Sequence, residues 1–177
     1  MPILSGPVLG IDPGTHRCGF GLVFRQGNRY VHVAHGVACA PPGAPLPERL
    51  AHIADILERV IAEHKPSAVA IEQAFVHRDV RAAMAIGHAR GVAMLIAARQ
   101  GLAVGEYPPA TVRRVVVGSG RADKTQVARM VQALVGLAAL PAHDATDALA
   151  VAICHASSLQ GQAAVRAAMV SHRVGRA

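Results

Sequence analysis

The sequence has no tryptophan and only five aromatic residues, two tyrosines and three phenylalanines, so the core must be packed from aliphatic side chains and alanine. Its three cysteines, Cys18, Cys39 and Cys154, form no C-x-x-C pair. An odd, scattered set argues against a disulfide framework and a thiolate zinc site, and fits free thiols in a reducing compartment. No uninterrupted apolar run reaches the roughly 18 residues of a membrane helix, and the start Met1-Pro2-Ile3-Leu4-Ser5-Gly6 lacks the basic residues of a secretory signal. A soluble, cytoplasmic protein with no membrane role is expected. Negative charge is also scarce: 11 acidic residues face 18 Lys and Arg, leaving +7 and a pI near 10.4. A surplus of this size points to a polyanionic partner. What the chain has in quantity is apolar residue, 52% against 16% charged, which excludes disorder over most of its length. Its 177 residues suit one domain with a substantial core.

Turn formers and hydrophobic periodicity divide the chain. Val8-Leu9-Gly10-Ile11 reads as a buried strand that stops at Asp12-Pro13-Gly14-Thr15. Strands around Gly19–Phe24 and Tyr30–Cys39, joined at Gln26-Gly27-Asn28, complete an antiparallel meander. A proline-rich loop to Pro47 leads into an amphipathic helix ending near His64, with Leu50, Ile53, Leu57, Val60 and Ile61 on one face. Ala68–Ile71 is a strand covered on both faces, with Glu72 at its end. A helix from Asp79 to Gln100 lines up Val80, Met84, Gly87, Gly91, Leu95 and Ala98. Two helical glycines cost about 1 kcal/mol each relative to alanine, so they predict close approach by another backbone. Then come a strand from Leu102 to Tyr107, a short helix or turn from Thr111 to Val117, and a helix from Lys124 to Leu137 with Val127, Met130, Val131 and Leu134 inward. A last helix from Asp144 to Ser158 ends the domain, and residues 159–177 read as a flexible tail. The order predicts an α/β fold with a mixed sheet in a single domain, residues 1–158.

Four of the eleven acids sit where chemistry could use them. Asp12 and Glu72 end two strands; if these are parallel neighbours, both reach the crevice where open α/β sheets place ligands. Asp144 and Asp147 share one face of a first helical turn. Each has a plainer reading: Asp12 as a turn residue, Glu72 as a solvated strand end, and Asp144-Ala145-Thr146-Asp147 as a helix cap favoured by the dipole. Those readings leave the convergence of acids in so basic a chain without a cause. An oxygen-only set, with no cysteine and no H-E-x-x-H, suits Mg²⁺ or Mn²⁺ over zinc. Two such ions about 4 Å apart would clamp a phosphodiester, and a basic protein with an acidic pocket reads as a nuclease.

Val8–Thr15, Ala70-Ile71-Glu72-Gln73-Ala74-Phe75, Gly87-His88-Ala89-Arg90-Gly91, Val115–Gly118 and Asp144-Ala145-Thr146-Asp147-Ala148-Leu149-Ala150 together resemble the RuvC family of bacterial Holliday junction resolvases, in the right order from Val8 to His155. The resemblance implies a ribonuclease-H-like fold with a mixed five-stranded sheet flanked by helices, and a homodimer. It also implies Mg²⁺-dependent paired nicks in four-way junction DNA, and work beside the branch-migration proteins RuvA and RuvB in recombination and repair. By motif, Asp12, Glu72, Asp144 and Asp147 are the metal-binding catalytic carboxylates, two ions per site. His143 is the neighbour of the third, because Asp144 keeps the spacing to Asp147.

DNA contacts are expected from Phe75, which can stack on an unpaired base, from Arg78 and Arg81, and from Arg113, Arg114 and Lys124. Lys124 stands in a first helical turn, where the dipole disfavours a cation, so a phosphate there would account for it. With four acids set aside in one pocket, 18 basic residues face seven acids, a surplus of +11 toward DNA. Alternatives are a non-catalytic nucleic-acid-binding module and an RNA-processing ribonuclease-H-like nuclease. A sugar-kinase or actin-like phosphotransferase needs a second lobe that this length does not supply.

Overall fold

The computed structural model describes residues 6–73 and 80–174, the side chains of 159–174 apart. β1 (Val8–Asp12), β2 (Arg17–Gln26) and β3 (Arg29–Cys39) form the expected meander. The β2–β3 turn is closed by Gly27 at φ 61°, a left-handed conformation that glycine adopts without steric cost. α1 (Leu46–His64), β4 (Ala68–Glu72), α2 (Val80–Arg99), β5 (Ala103–Tyr107), α3 (Pro109–Val117), α4 (Lys124–Val135) and α5 (His143–Val174) follow. The sheet order is β3-β2-β1-β4-β5, with β4 parallel to β1 and β5 parallel to β4.

The uniformly apolar strands are covered on both faces. Leu9, Ile11, Leu22, Val69 and Ile71 pack with Ile53, Leu57, Val60 and Ile61 of α1 and with Ala93, Ile96 and Ala97 of α2. Val8, Val23 and Ala70 pack the other way, against α3, α4 and α5. With few rings available, density comes from branched aliphatic side chains, each contributing about 1.5–3 kcal/mol when fully buried. Small residues let α5 lie unusually close to the sheet. A Cβ on Gly10 would collide with the carbonyl oxygen of Ala148, and one on Gly19 with that of Asp144.

Three expectations change in detail. Met130 is exposed while Val127, Ala128, Val131 and Val135 face inward, because the buried stripe of α4 runs one position away from Met130. α5 continues to Val174 instead of ending at Ser158; Ala163, Ala164, Ala167 and Ala168 favour helix whether or not they bury anything. Among the described residues no backbone approaches the α2 glycines from another element, since nothing lies within 4 Å of a Cβ built on Gly87 or Gly91. Their stripe faces outward: Val80 is 66%, Met84 60% and Leu95 52% exposed. By length and composition alone α2 could cross a membrane, but its opposite face, Ala89, Ala93, Ile96 and Ala97, is buried on the sheet.

Candidate active site

Strand pairing brings the first two carboxylates together. Ile11 pairs with Ile71 across the parallel β1–β4 ladder, so Asp12 and Glu72 leave neighbouring strands at the same end. The β4–β5 ladder carries one bond further, Gln73 N–H to Tyr107 C=O at 2.9 Å, which holds Glu72 in extended backbone. α5 brings the other two. Its first turn rests over Gly19, where there is no side chain to keep it off, and this hangs Asp144 and Asp147 above the strand ends. Thr146, between them, is buried and donates its hydroxyl to Ala142 C=O at 3.1 Å.

The four acids feel one another. The Asp12 carboxyl is pushed up from 3.8 to about 7, first by burial and then by Asp147, Glu72 and Asp144, with Lys124 opposing. Glu72 is raised by burial and by Asp147, against the pull of Lys124 and Arg113. The two α5 acids have found cations. Arg17 donates Nε–H to Asp144 Oδ2 at 2.7 Å, and Lys124 donates from Nζ to Asp147 Oδ2 at 3.3 Å. Asp147 is also the leading cause of a raised Lys124. Asp144 is therefore no helix cap: α5 begins one residue earlier, at His143, and the carboxylate turns to Arg17. Among the described residues, no three of His, Cys, Asp and Glu stand close enough to hold one cation between them, with two of these acids drawn onto side-chain cations.

In kind, the donors fit a hard divalent cation: they are all oxygen, and unneutralised they repel. The thiol that feels Asp12 and Asp144, Cys18, is pushed up to about 12 by burial and stays protonated, so it offers no soft ligand.

A cleft of roughly 310 Å³ opens beside the acids, walled by Glu72, Asp147, Arg113 and Lys124 over Val112 and Val127. Two predicted DNA contacts, Arg113 and Lys124, thus share a wall with the carboxylates. Arg114 is exposed outside that cleft, Arg81 is exposed in the first turn of α2, and His143 is exposed beside Asp144. Phe75 and Arg78 lie outside the described residues. Lys124 is set by a capping box, in which Asp123 Oδ1 accepts from Gln126 N–H at 2.8 Å and Gln126 Oε1 from Asp123 N–H at 3.0 Å. Its unfavourable place in the helix field is offset here by its contact with Asp147. Sequence reasoning missed Arg17. It belongs to no motif, and the one available sign was its position two residues beyond the Asp12–Thr15 turn, on a strand that starts earlier than its apolar pattern shows.

A profile of the crossover junction endodeoxyribonuclease RuvC matches residues 8–155, the span that contains all four carboxylates. The chain belongs to the RuvC family. RuvC of Sorangium cellulosum is 49% identical over 160 residues, 90% of this chain and 89% of the relative. RuvC of Parvibaculum lavamentivorans is 46% identical over 99% of this chain and all of its own length. Among solved structures, Thermus thermophilus RuvC in complex with a Holliday junction substrate superposes with a TM-score of 0.80 at 33% identity, covering 85% of this chain and 93% of that one. The yeast mitochondrial Holliday junction resolvase superposes with a TM-score of 0.62 at 10% identity, a likeness of fold alone. The sheet order and flanking helices are those of the ribonuclease-H-like fold shared by RuvC and these resolvases.

Proposed function

We propose that this RuvC-family chain resolves four-way DNA junctions by paired, metal-dependent nicks, with Asp12, Glu72, Asp144 and Asp147 as its metal-binding catalytic carboxylates. The observation that carries this reading is the meeting of four acids from β1, β4 and α5 at one sheet end, beside a basic wall, in a chain of net charge +7. Mg²⁺, or Mn²⁺, bound there as a pair would activate water and stabilise the leaving oxygen. The protein's own part is to fix the oxygens on two strand ends and one helix turn before DNA arrives, so that no backbone has to be ordered during the reaction.

Lys124 and Arg113 are placed to take phosphate oxygens of the cut strand in the cleft. Arg114 and Arg81 extend the basic surface outside it. Phe75 and Arg78 follow Glu72 closely in sequence, which is the basis for assigning them to the junction centre, Phe75 stacking on an unpaired base. Paired nicks need two sites, and the exposed face of α2, with Val80, Met84, Gly87, Gly91 and Leu95, suits a second copy of this chain: glycines on it would let two helices approach closely. By its family the protein would act in the cytoplasm, on junctions moved by RuvA and RuvB.

Incubation with a four-way junction, linear duplex or RNA–DNA hybrid, in Mg²⁺ or EDTA, tests the reading. Cleavage confined to the junction and to Mg²⁺ is expected. Cleavage of hybrid alone would favour an RNA-processing enzyme, and binding without cleavage a non-catalytic module.

A further inference from the structure

Arg17 has no part in the chemistry proposed above. It heads β2, with about half of its side chain in solvent (52%), and it does not line the cleft that holds Arg113 and Lys124. An arginine so placed could turn freely to water. Instead its Nε–H is bonded to Asp144 Oδ2 at 2.7 Å, a charge-assisted length, and the end of the guanidinium lies 3.7 Å from Cys39 Sγ on the neighbouring strand. Arg17 pairs with Cys39 in the β2–β3 register, so the base of the side chain is anchored by the sheet and its head is aimed at α5.

Guanidinium is charged at any working pH, so this partner does not leave Asp144 by losing a proton. We infer that Arg17 is a built-in counter-ion that competes with the divalent cation for Asp144 and thereby sets the cation concentration at which the site fills. In the cation-free protein it neutralises one of four crowded carboxylates. It also holds that carboxylate away from a shared position, in keeping with the absence, among the described residues, of three acids close enough to grip one ion. Filling the site through Asp144 requires the Arg17 bond to break. The two processes share one carboxylate, so whatever the bond contributes is subtracted from cation affinity. Lys124 treats Asp147 in the same way, but its position in the cleft wall gives it a second duty toward phosphate; Arg17 isolates the competition.

This inference rests on the reading of Asp144 as a metal ligand, and the test keeps the two apart. Mn²⁺ is titrated calorimetrically into the full-length protein without DNA, for wild type, Arg17→Gln, Asp144→Asn and the double variant. The exposed position of Arg17 makes its replacement compatible with folding, and a circular dichroism spectrum matching wild type checks this. Arg17→Gln is expected to bind Mn²⁺ about 1.4- to five-fold more tightly, the range an exposed ion pair spans. In the Asp144→Asn background the same substitution is expected to change nothing. Unchanged or weaker binding by Arg17→Gln overturns the inference while leaving the metal reading intact. Equal tightening in both backgrounds also overturns it, because Arg17 would then act only through overall charge. Binding that is unaffected by Asp144→Asn overturns the metal reading of Asp144 and the inference with it.

Discussion

Asp12 and Glu72 stand one residue beyond the paired Ile11 and Ile71 of two parallel strands, so the backbone starts both side chains from neighbouring positions at one end of the sheet. Burial first, and then the negative charges of Asp147, Glu72 and Asp144, push the Asp12 carboxyl up to about 7, and a site built this way is poised for a cation.

The first prediction concerns pH. The folded value for Asp12 is about 7 against 3.8 ordinarily, so the folded state binds more protons than the unfolded between those limits. Its stabilising contribution is complete below about pH 4 and is lost as pH rises through 7, by at most about 4 kcal/mol at roughly 1.4 kcal/mol per unit. Glu72 is raised and acts with the same sign. His155 and His32 are lowered by burial and act oppositely, losing stability as pH falls below about 6.5, so the comparison must be with Asp12→Asn. In EDTA, Asp12→Asn is expected to gain stability over wild type from pH 5 to about pH 7, with the gain levelling off above that. A difference in melting temperature that stays flat with pH would contradict the burial of a shared negative charge.

Close packing of α5 gives the second. Gly19→Ala sets a methyl against the Asp144 carbonyl, and backbone cannot yield as a side chain tip can. The variant should lose more than about 2 kcal/mol in urea unfolding and should lose Mg²⁺-induced stabilisation, since the turn that carries Asp144 must lift. Wild-type stability in Gly19→Ala would show that α5 sits further from the sheet.

Lys124 lies between carboxylate and cleft. Lys124→Gln should weaken junction binding about equally across junction sequences and lower the slope of log affinity against log salt by about one, as expected on losing one phosphate contact. Fluorescence anisotropy with Ca²⁺ in place of Mg²⁺ measures both. An unchanged slope would confine Lys124 to its ion pair with Asp147.

For the α2 face, Met84→Glu places a charge on an exposed apolar stripe without touching the buried Ala89–Ala93 face. Sedimentation should find monomers for the variant and dimers for wild type, with the melting temperature of each protomer's fold little changed. A wild-type monomer at the concentrations that support cleavage would remove this surface from the account.

Much of this was legible in the chain because the signals were local. Uniform apolar runs ending in Asp-Pro-Gly-Thr or Glu marked strands and placed their acids, and Ile53, Leu57, Val60 and Ile61 recur with helical spacing and are buried. Relations between distant elements were less legible. The bond from Arg17 to Asp144 joins residues 127 apart and exists because Gly19 admits α5, a contact that no local pattern encodes. Periodicity also cannot tell a stripe that meets the core from one that faces outward, so Val80, Met84 and Leu95 read as packing residues although they are exposed among the described residues. Lys124 had a visible oddity, a cation in a first helical turn, but its compensating carboxylate came from a helix later in the sequence.

The central claim is that four carboxylates form one cation-dependent cutting site. Cleavage of a strand-labelled four-way junction by wild type and by Asp12→Asn, with binding measured in parallel, tests it most directly. Paired nicks at symmetric positions are predicted for wild type in Mg²⁺, with cutting lost at least a hundred-fold and junction binding retained in Asp12→Asn. Undiminished cutting by Asp12→Asn would contradict the account.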